Sequence, residues 1–257
     1  MNTTAPVINL SNLDSLAAIE INGAAGDKAF TATYNAASTV ATGTQTDTQS
    51  LKFTDVGTIN TAAAGAASNA KELTVNIAKV EALDITTEGT ANSLNLSGAT
   101  DAKSIKIAGA GQTEIEAVAA ATTSFDASGA TGNVIANLTA ANAAALTTVK
   151  TGAGDDTVTI AAGDLTATAT VDGGAGADTL KLNGAGGTIQ PAFTGFETIE
   201  LAGVTTALTF SGSNTSDITD VKVSGANTAG ASFVNMGATD LAVTTVGAQN
   251  LTIAADN

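Results

Sequence analysis

The 257-residue chain has no cysteine, no histidine and no tryptophan, and all nine of its basic residues are lysines. Thiol chemistry, imidazole acid–base catalysis, most zinc sites and arginine clamps on phosphate are thereby excluded. No disulfide framework holds the fold. Aromatic residues make up 3% of the chain, while the apolar 44% comes almost entirely from Ala, Val, Leu and Ile. A core of such small side chains is thin, which suits a narrow coil better than a thick globule. No run of 18 apolar residues occurs, so no segment reads as a transmembrane helix. The opening Met1-Asn2-Thr3-Thr4-Ala5-Pro6 has neither a basic n-region nor an apolar h-region, and it does not read as a signal peptide. The expectation is therefore a segment of a larger exported chain, or export through a signal outside these residues.

Charge is one-sided. Nine lysines face 24 acids, for a net charge of −15. Such a surface repels nucleic acid and anionic membranes alike. Clustered carboxylates attract cations, and a bound divalent ion relieves their mutual repulsion.

Residues 1–70 form the least regular part, read as an irregular β-rich start of the same rod as residues 71–257. The stretch 11–21 opens either as a short capped helix or as a strand ending at Ile19-Glu20-Ile21, before a turn at 22–27. Stretches 29–34 and 50–54 alternate like half-buried strands, and 61–70 is low in complexity. From residue 71 a rhythm sets in. Apolar–x–apolar units recur at Leu73-Thr74-Val75, Leu83-Asp84-Ile85, Leu94-Asn95-Leu96 and Ile105-Lys106-Ile107. Later beats fall at Leu180-Lys181-Leu182, Ile199-Glu200-Leu201, Leu208-Thr209-Phe210 and Val221-Lys222-Val223. In each unit the outer two residues face one way and the middle one the other. Even spacing without hairpin turns predicts an all-β, parallel β-helix or β-solenoid of β-roll-like form, with a β-sandwich as the alternative. Two strands per coil give a rung of about 22 residues and about twelve rungs.

Two stretches carry candidate chemistry. Gly173-Gly174-Ala175-Gly176-Ala177-Asp178-Thr179-Leu180-Lys181 fits the nine-residue pattern G-G-x-G-x-D-x-U-x, where U is a large apolar residue. Thr151-Gly152-Ala153-Gly154-Asp155-Asp156-Thr157-Val158-Thr159 lies one expected rung upstream and lacks only the first glycine. Asp156 and Asp178 therefore fall one above the other and can share an ion. Glycines permit positive φ and let carbonyls turn toward one point, and a hard cation takes several such oxygens.

These residues resemble RTX-type calcium-binding proteins, and the Ala/Thr/Gly/Asn-rich, cysteine-free composition looks like Gram-negative bacterial surface-layer (S-layer) proteins exported by type I secretion. The motif likeness covers residues 151–181. The resemblance implies Ca²⁺ as the cofactor, held by Asp156 and Asp178 with carbonyls of Thr151, Gly152, Ala153 and Gly154 and of Gly173, Gly174, Ala175 and Gly176. It leaves Asp155 and Asp172 as solvated neighbours. It further implies a structural, self-assembling protein at the extracellular cell surface, with copies of itself in a lattice as partners and cell-surface polysaccharide as a candidate anchor. A second reading is an adhesin, or an ice- or glycan-binding segment of a large RTX protein.

Catalysis is not expected. Glu114 with Glu116, or Glu197 with Glu200, offers a carboxylate pair of the kind glycosidases use, but each lies on the polar side of a strand motif with no aromatic platform nearby.

Overall fold

The computed structural model describes residues 7–23, 28–35, 47–60, 71–141, 146–161, 163–189, 192–213, 215, 217–224, 227–235, 242–245 and 251–253. The chain is all-β across these residues, and among them no helix is long and apolar enough to cross a membrane. Most of the turn at 22–27, the low-complexity stretch 61–70 and residues 142–145 lie outside them.

The first strands are β1 (Val7–Leu13), β2 (Ile19–Asn22), β3 (Lys28–Tyr34), β4 (Thr48–Thr54), β5 (Leu73–Ile77), β6 (Ala82–Glu88), β7 (Ala91–Asn95) and β8 (Ser104–Gly109). There follow β9 (Gln112–Ala117), β10 (Ser124–Ala130), β11 (Val134–Asn137), β12 (Leu146–Lys150), β13 (Thr157–Ala161), β14 (Leu165–Asp172), β15 (Thr179–Gly184) and β16 (Thr188–Ile189). The last are β17 (Ala192–Thr194), β18 (Thr198–Val204), β19 (Leu208–Ser211), β20 (Asp220–Ser224), β21 (Ala231–Val234), β22 (Ala242–Thr245) and β23 (Leu251–Ile253). The stretch 11–21 thus resolves into the end of β1 and the start of β2, with no helix between them.

Among the described strands none pairs with its neighbour in sequence; each pairs with strands two or three positions away, always in parallel. One sheet runs β1-β3-β5-β7-β9-β11-β13-β15-β18-β20-β22, and a second runs β2-β4-β6-β8-β10-β12-β14-β17. This is a β-solenoid, and parallel pairing rules out the sandwich, whose sheets are antiparallel. The rung length is read directly from the register: Ile135 pairs Thr157, and Thr157 pairs Thr179. Both steps equal the rung expected from the rhythm of the sequence. Among the described residues the longest sheet has eleven strands, which span about 48 Å at ~4.8 Å per step.

The periodicity produces the core. In β5 and β15 the apolar residues Leu73, Val75, Leu180 and Leu182 are fully buried, with polar residues between them turned outward. All seven phenylalanines are buried as well. Each buried Leu, Ile, Val or Phe stabilises the rod by roughly 1.5–3 kcal/mol, but only once a neighbouring rung covers it, so rungs fold together rather than singly.

The rod changes its second face near residue 190. A short sheet of β16-β19-β21-β23 replaces the eight-stranded one, and the rung between β15 and β18 is shorter than those before it, with Thr179 opposite Thr198. Phe193, Phe210 and Phe233 carry the core across the junction, with ring centroids 5.2 and 5.5 Å apart, and Phe196 is buried beside them. Phe210→Leu is expected to remove two ring contacts at once and lower stability by about 1–2 kcal/mol, measured by urea unfolding.

Outward positions are patterned too. On the eight-stranded sheet Asp84, Lys106, Asp126, Lys150 and Asp172 occupy one column in register, so each lysine lies between two aspartates. Burial opposes it, but the Ser128 hydroxyl and amide and the Lys150 and Lys106 charges hold the Asp126 carboxyl below its usual range. On the other face Lys181 lies 3.5 Å from Glu200, which in turn pairs Lys222 in register. Lys150→Glu would set three acids in a row. The expected loss is under about 1 kcal/mol in low salt, and raising ionic strength should shrink it.

Candidate metal centre

Strands β12 and β13, and β14 and β15, are joined by the two glycine-rich turns, and the turns stack. Ala153 bridges Ala175 in parallel, Ala175 N–H donates to Gly152 O at 2.8 Å, and Gly154 N–H donates to Ala175 O at 2.9 Å. Gly173 O accepts the Thr151 hydroxyl at 2.5 Å. Several carbonyls expected to face an ion are therefore drawn into the bonds between rungs. The glycines serve this stacking first. A Cβ on Gly152 would sit 2.1 Å from Ala130 O, and one on Gly174, whose φ is +85°, would sit 2.0 Å from Gly152 O.

The carboxylates form a ladder along the rod. Asp156 and Asp178 are each 1% exposed and come together on adjacent rungs. Asp156 Oδ1 accepts Val134 N–H at 2.6 Å, and Asp156 Oδ2 accepts Gly152 N–H at 3.3 Å. Asp178 Oδ1 accepts Asp156 N–H at 2.8 Å, and Glu197 Oε2 accepts Asp178 N–H at 2.7 Å. Each acid thus caps an amide of the preceding rung. Asp178 Oδ2 is buried and has no hydrogen-bond partner. Burial, and then the nearby charges of Asp156, Glu197 and Asp155, push the Asp178 carboxyl up to about 7 despite the amide it accepts. Burial also raises Asp156, against the backbone donors from Val134 and Gly152 and the neighbouring Thr151 hydroxyl.

A second ladder runs the opposite way on the exposed side. Asp155 N–H donates to Asn133 Oδ1 at 3.1 Å, and Asp155 Oδ1 accepts Ala177 N–H at 3.0 Å. Asp172 is half-buried, and its Oδ1 accepts Gly174 N–H at 3.2 Å. Both fix turn amides.

Glu197 was not among the expected ligands. Its signal is an acid–Thr–apolar–x–apolar run shared by Asp156-Thr157-Val158-Thr159-Ile160, Asp178-Thr179-Leu180-Lys181-Leu182 and Glu197-Thr198-Ile199-Glu200-Leu201. Glu200 points elsewhere, to Lys181 and the Ser224 hydroxyl. Glu114 lies on what reads as a polar face, yet it is buried, because residues 55–60 fold over β7 and β9. Its Oε2 accepts Asn60 N–H at 2.9 Å and the Ser93 hydroxyl at 3.1 Å. Burial raises both Glu114 and Glu116, and their mutual repulsion adds to the shift of Glu116.

Among the described residues no three or more His, Cys, Asp or Glu side chains converge as a metal site. Any ion here relies on two carboxylates and on carbonyl or water oxygens. That donor set suits a hard cation of flexible geometry such as Ca²⁺, and the unsatisfied oxygen of Asp178 is the atom that fits it. Fold and site together define a parallel β-solenoid with acid–glycine turns stacked in register. No protein-family model, curated protein or solved structure matches the chain.

Proposed function

We propose that the chain is a structural, self-assembling segment of an extracellular bacterial surface layer, of the RTX type, whose solenoid is set by calcium at the stacked acid–glycine turns. The observation that carries this reading is the buried, partnerless Oδ2 of Asp178 in a ladder of like charges. An unpaired polar oxygen in a dry interior is costly, and a divalent cation both satisfies it and cancels the repulsion of the ladder. Asp178 binds the ion, with water and the free turn carbonyls completing the shell.

Assembly has support of its own. An outer column of alternating charge, Asp84, Lys106, Asp126, Lys150 and Asp172, suits lateral contact between copies. Of the carboxylate pairs weighed for catalysis, Glu114 is held by Asn60 and Ser93 and Glu200 by Lys181 and Ser224, while Glu116 Oε1 is buried without a hydrogen-bond partner.

The test is calcium titrated against chelator, followed by circular dichroism, light scattering and electron microscopy. A gain of β-signal with ordered two-dimensional sheets is expected. A monomer that stays soluble in millimolar calcium and binds glycans or ice selects the adhesin reading instead.

A further inference from the structure

We infer that Glu197, rather than Asp156, supplies the second carboxylate to the cation held by Asp178. The inference rests on the reading that this ladder takes Ca²⁺, and it moves the ion one rung along the rod from the pair that the sequence motif marks.

Satisfaction of individual oxygens decides the point. Both oxygens of Asp156 already take backbone donors, from Val134 at 2.6 Å and Gly152 at 3.3 Å, and the Thr151 hydroxyl lies against the same carboxylate. Each of its oxygens therefore has one acceptor site already taken, and its charge is already partly satisfied by those donors. Asp178 has one oxygen on Asp156 N–H and the other on nothing. Glu197 is seated on the other side of Asp178, with Oε2 on its backbone amide at 2.7 Å, which brings its charge close enough to act on the Asp178 carboxylate.

The shape of the rod points the same way. Val134, which occupies the preceding step of the ladder, carries no charge, whereas Asp178 has an acid on each side, Asp156 and Glu197. Negative charge therefore builds toward Asp178 and beyond it. Glu197 is half-buried, so an ion beside it can keep water ligands, as Ca²⁺ sites commonly do. In the whole chain Glu197 acts as a ligand, while Asp156 acts as a cap that holds Val134 and Gly152 in place.

The experiment is calcium binding by the full chain, read by isothermal titration and by Tb³⁺ luminescence, for the wild type, Glu197→Gln and Asp156→Asn. Glutamine retains an oxygen for the Asp178 amide, and circular dichroism in chelator checks that each variant folds. Glu197→Gln is expected to weaken calcium binding about tenfold or more and Asp156→Asn about threefold or less, with the Tb³⁺ site gaining water only in the first. A larger loss in Asp156→Asn, with Glu197→Gln unchanged, would overturn the inference and leave the calcium reading standing. No calcium or Tb³⁺ binding by the wild type would overturn both. A readout independent of any variant is paramagnetic broadening by Gd³⁺ in the wild type. The strongest effect is expected at the amides of Asp178, Glu197 and Thr198, and a maximum at Val134 and Gly152 would refute the assignment.

Discussion

Gly174→Ala should lower the stability of the rod by about 4 kcal/mol, more than either of its two penalties would cost alone. Two penalties combine there. The backbone has φ of +85°, which L side chains rarely adopt, and the new Cβ would lie 2.0 Å from Gly152 O and 3.0 Å from Thr151 O. Neither oxygen can retreat easily, since Gly152 O is bonded to Ala175 N–H and both turns are anchored by buried strands on either side. Two other glycines separate the contributions. Gly23 has φ of +63° with nothing within 4 Å of its would-be Cβ, so Gly23→Ala carries the backbone penalty alone, about 1 kcal/mol. Gly152 lacks positive φ but would place a Cβ 2.1 Å from Ala130 O, so Gly152→Ala carries the clash alone, about 2–3 kcal/mol. Urea midpoints for the three variants, at constant m, make the comparison. If Gly174→Ala costs no more than Gly23→Ala, close approach between rungs is not what the glycines are for.

What could be read from the residues, and what could not, follows from the range of the interactions involved. Units such as Leu73-Thr74-Val75 declare themselves because a period of two with large apolar residues is a local property. The regular rung is legible for the same reason, and with it the stacking of Asp156 on Asp178. Strands β11 and β21 give weaker signals, since Ala136 and Ala231 occupy core positions where a large side chain would have marked them. The switch of sheets near β16 depends on how Phe193, Phe210 and Phe233 pack, which no local pattern reports. Burial of Glu114 depends on Asn60, far away in sequence. Glu197 does not read from the sequence as a member of the acid ladder, because its rung is shorter than the two before it and falls short of their fixed step. The fate of the turn carbonyls was hidden likewise: glycine shows that the backbone comes close to something, but not whether that something is an ion or the next rung.

In chelator, stability should fall as pH rises from 5 to 8, and saturating calcium should flatten that dependence. The sign follows from Asp178, whose carboxyl is pushed from its ordinary 3.8 to about 7 in the folded rod. Between those values the folded state holds a proton that the unfolded chain has released, so stability is greatest below about 4 and is lost as pH rises through about 7. One such group gives a slope approaching about 1.4 kcal/mol per pH unit. Asp156, Glu114 and Glu116 are shifted upward as well and add in the same direction. Asp126 is shifted downward and opposes them only at lower pH. On the proposed calcium reading the ion takes the place of the proton, so Asp178 would stay ionised without leaving Oδ2 unsatisfied, and binding near pH 6 should release protons in a calorimetric titration repeated in buffers of different ionisation enthalpy. Asp178→Asn tests the assignment. Its amide oxygen still accepts Asp156 N–H, but no charge remains to be neutralised. The variant should be more stable than the wild type in chelator at pH 8, largely lose the slope, and gain little from calcium. A wild-type slope that survives in Asp178→Asn would place the responsible protons on Asp156 or on the Glu114 and Glu116 pair, and Asp156→Asn in the same background would separate the two.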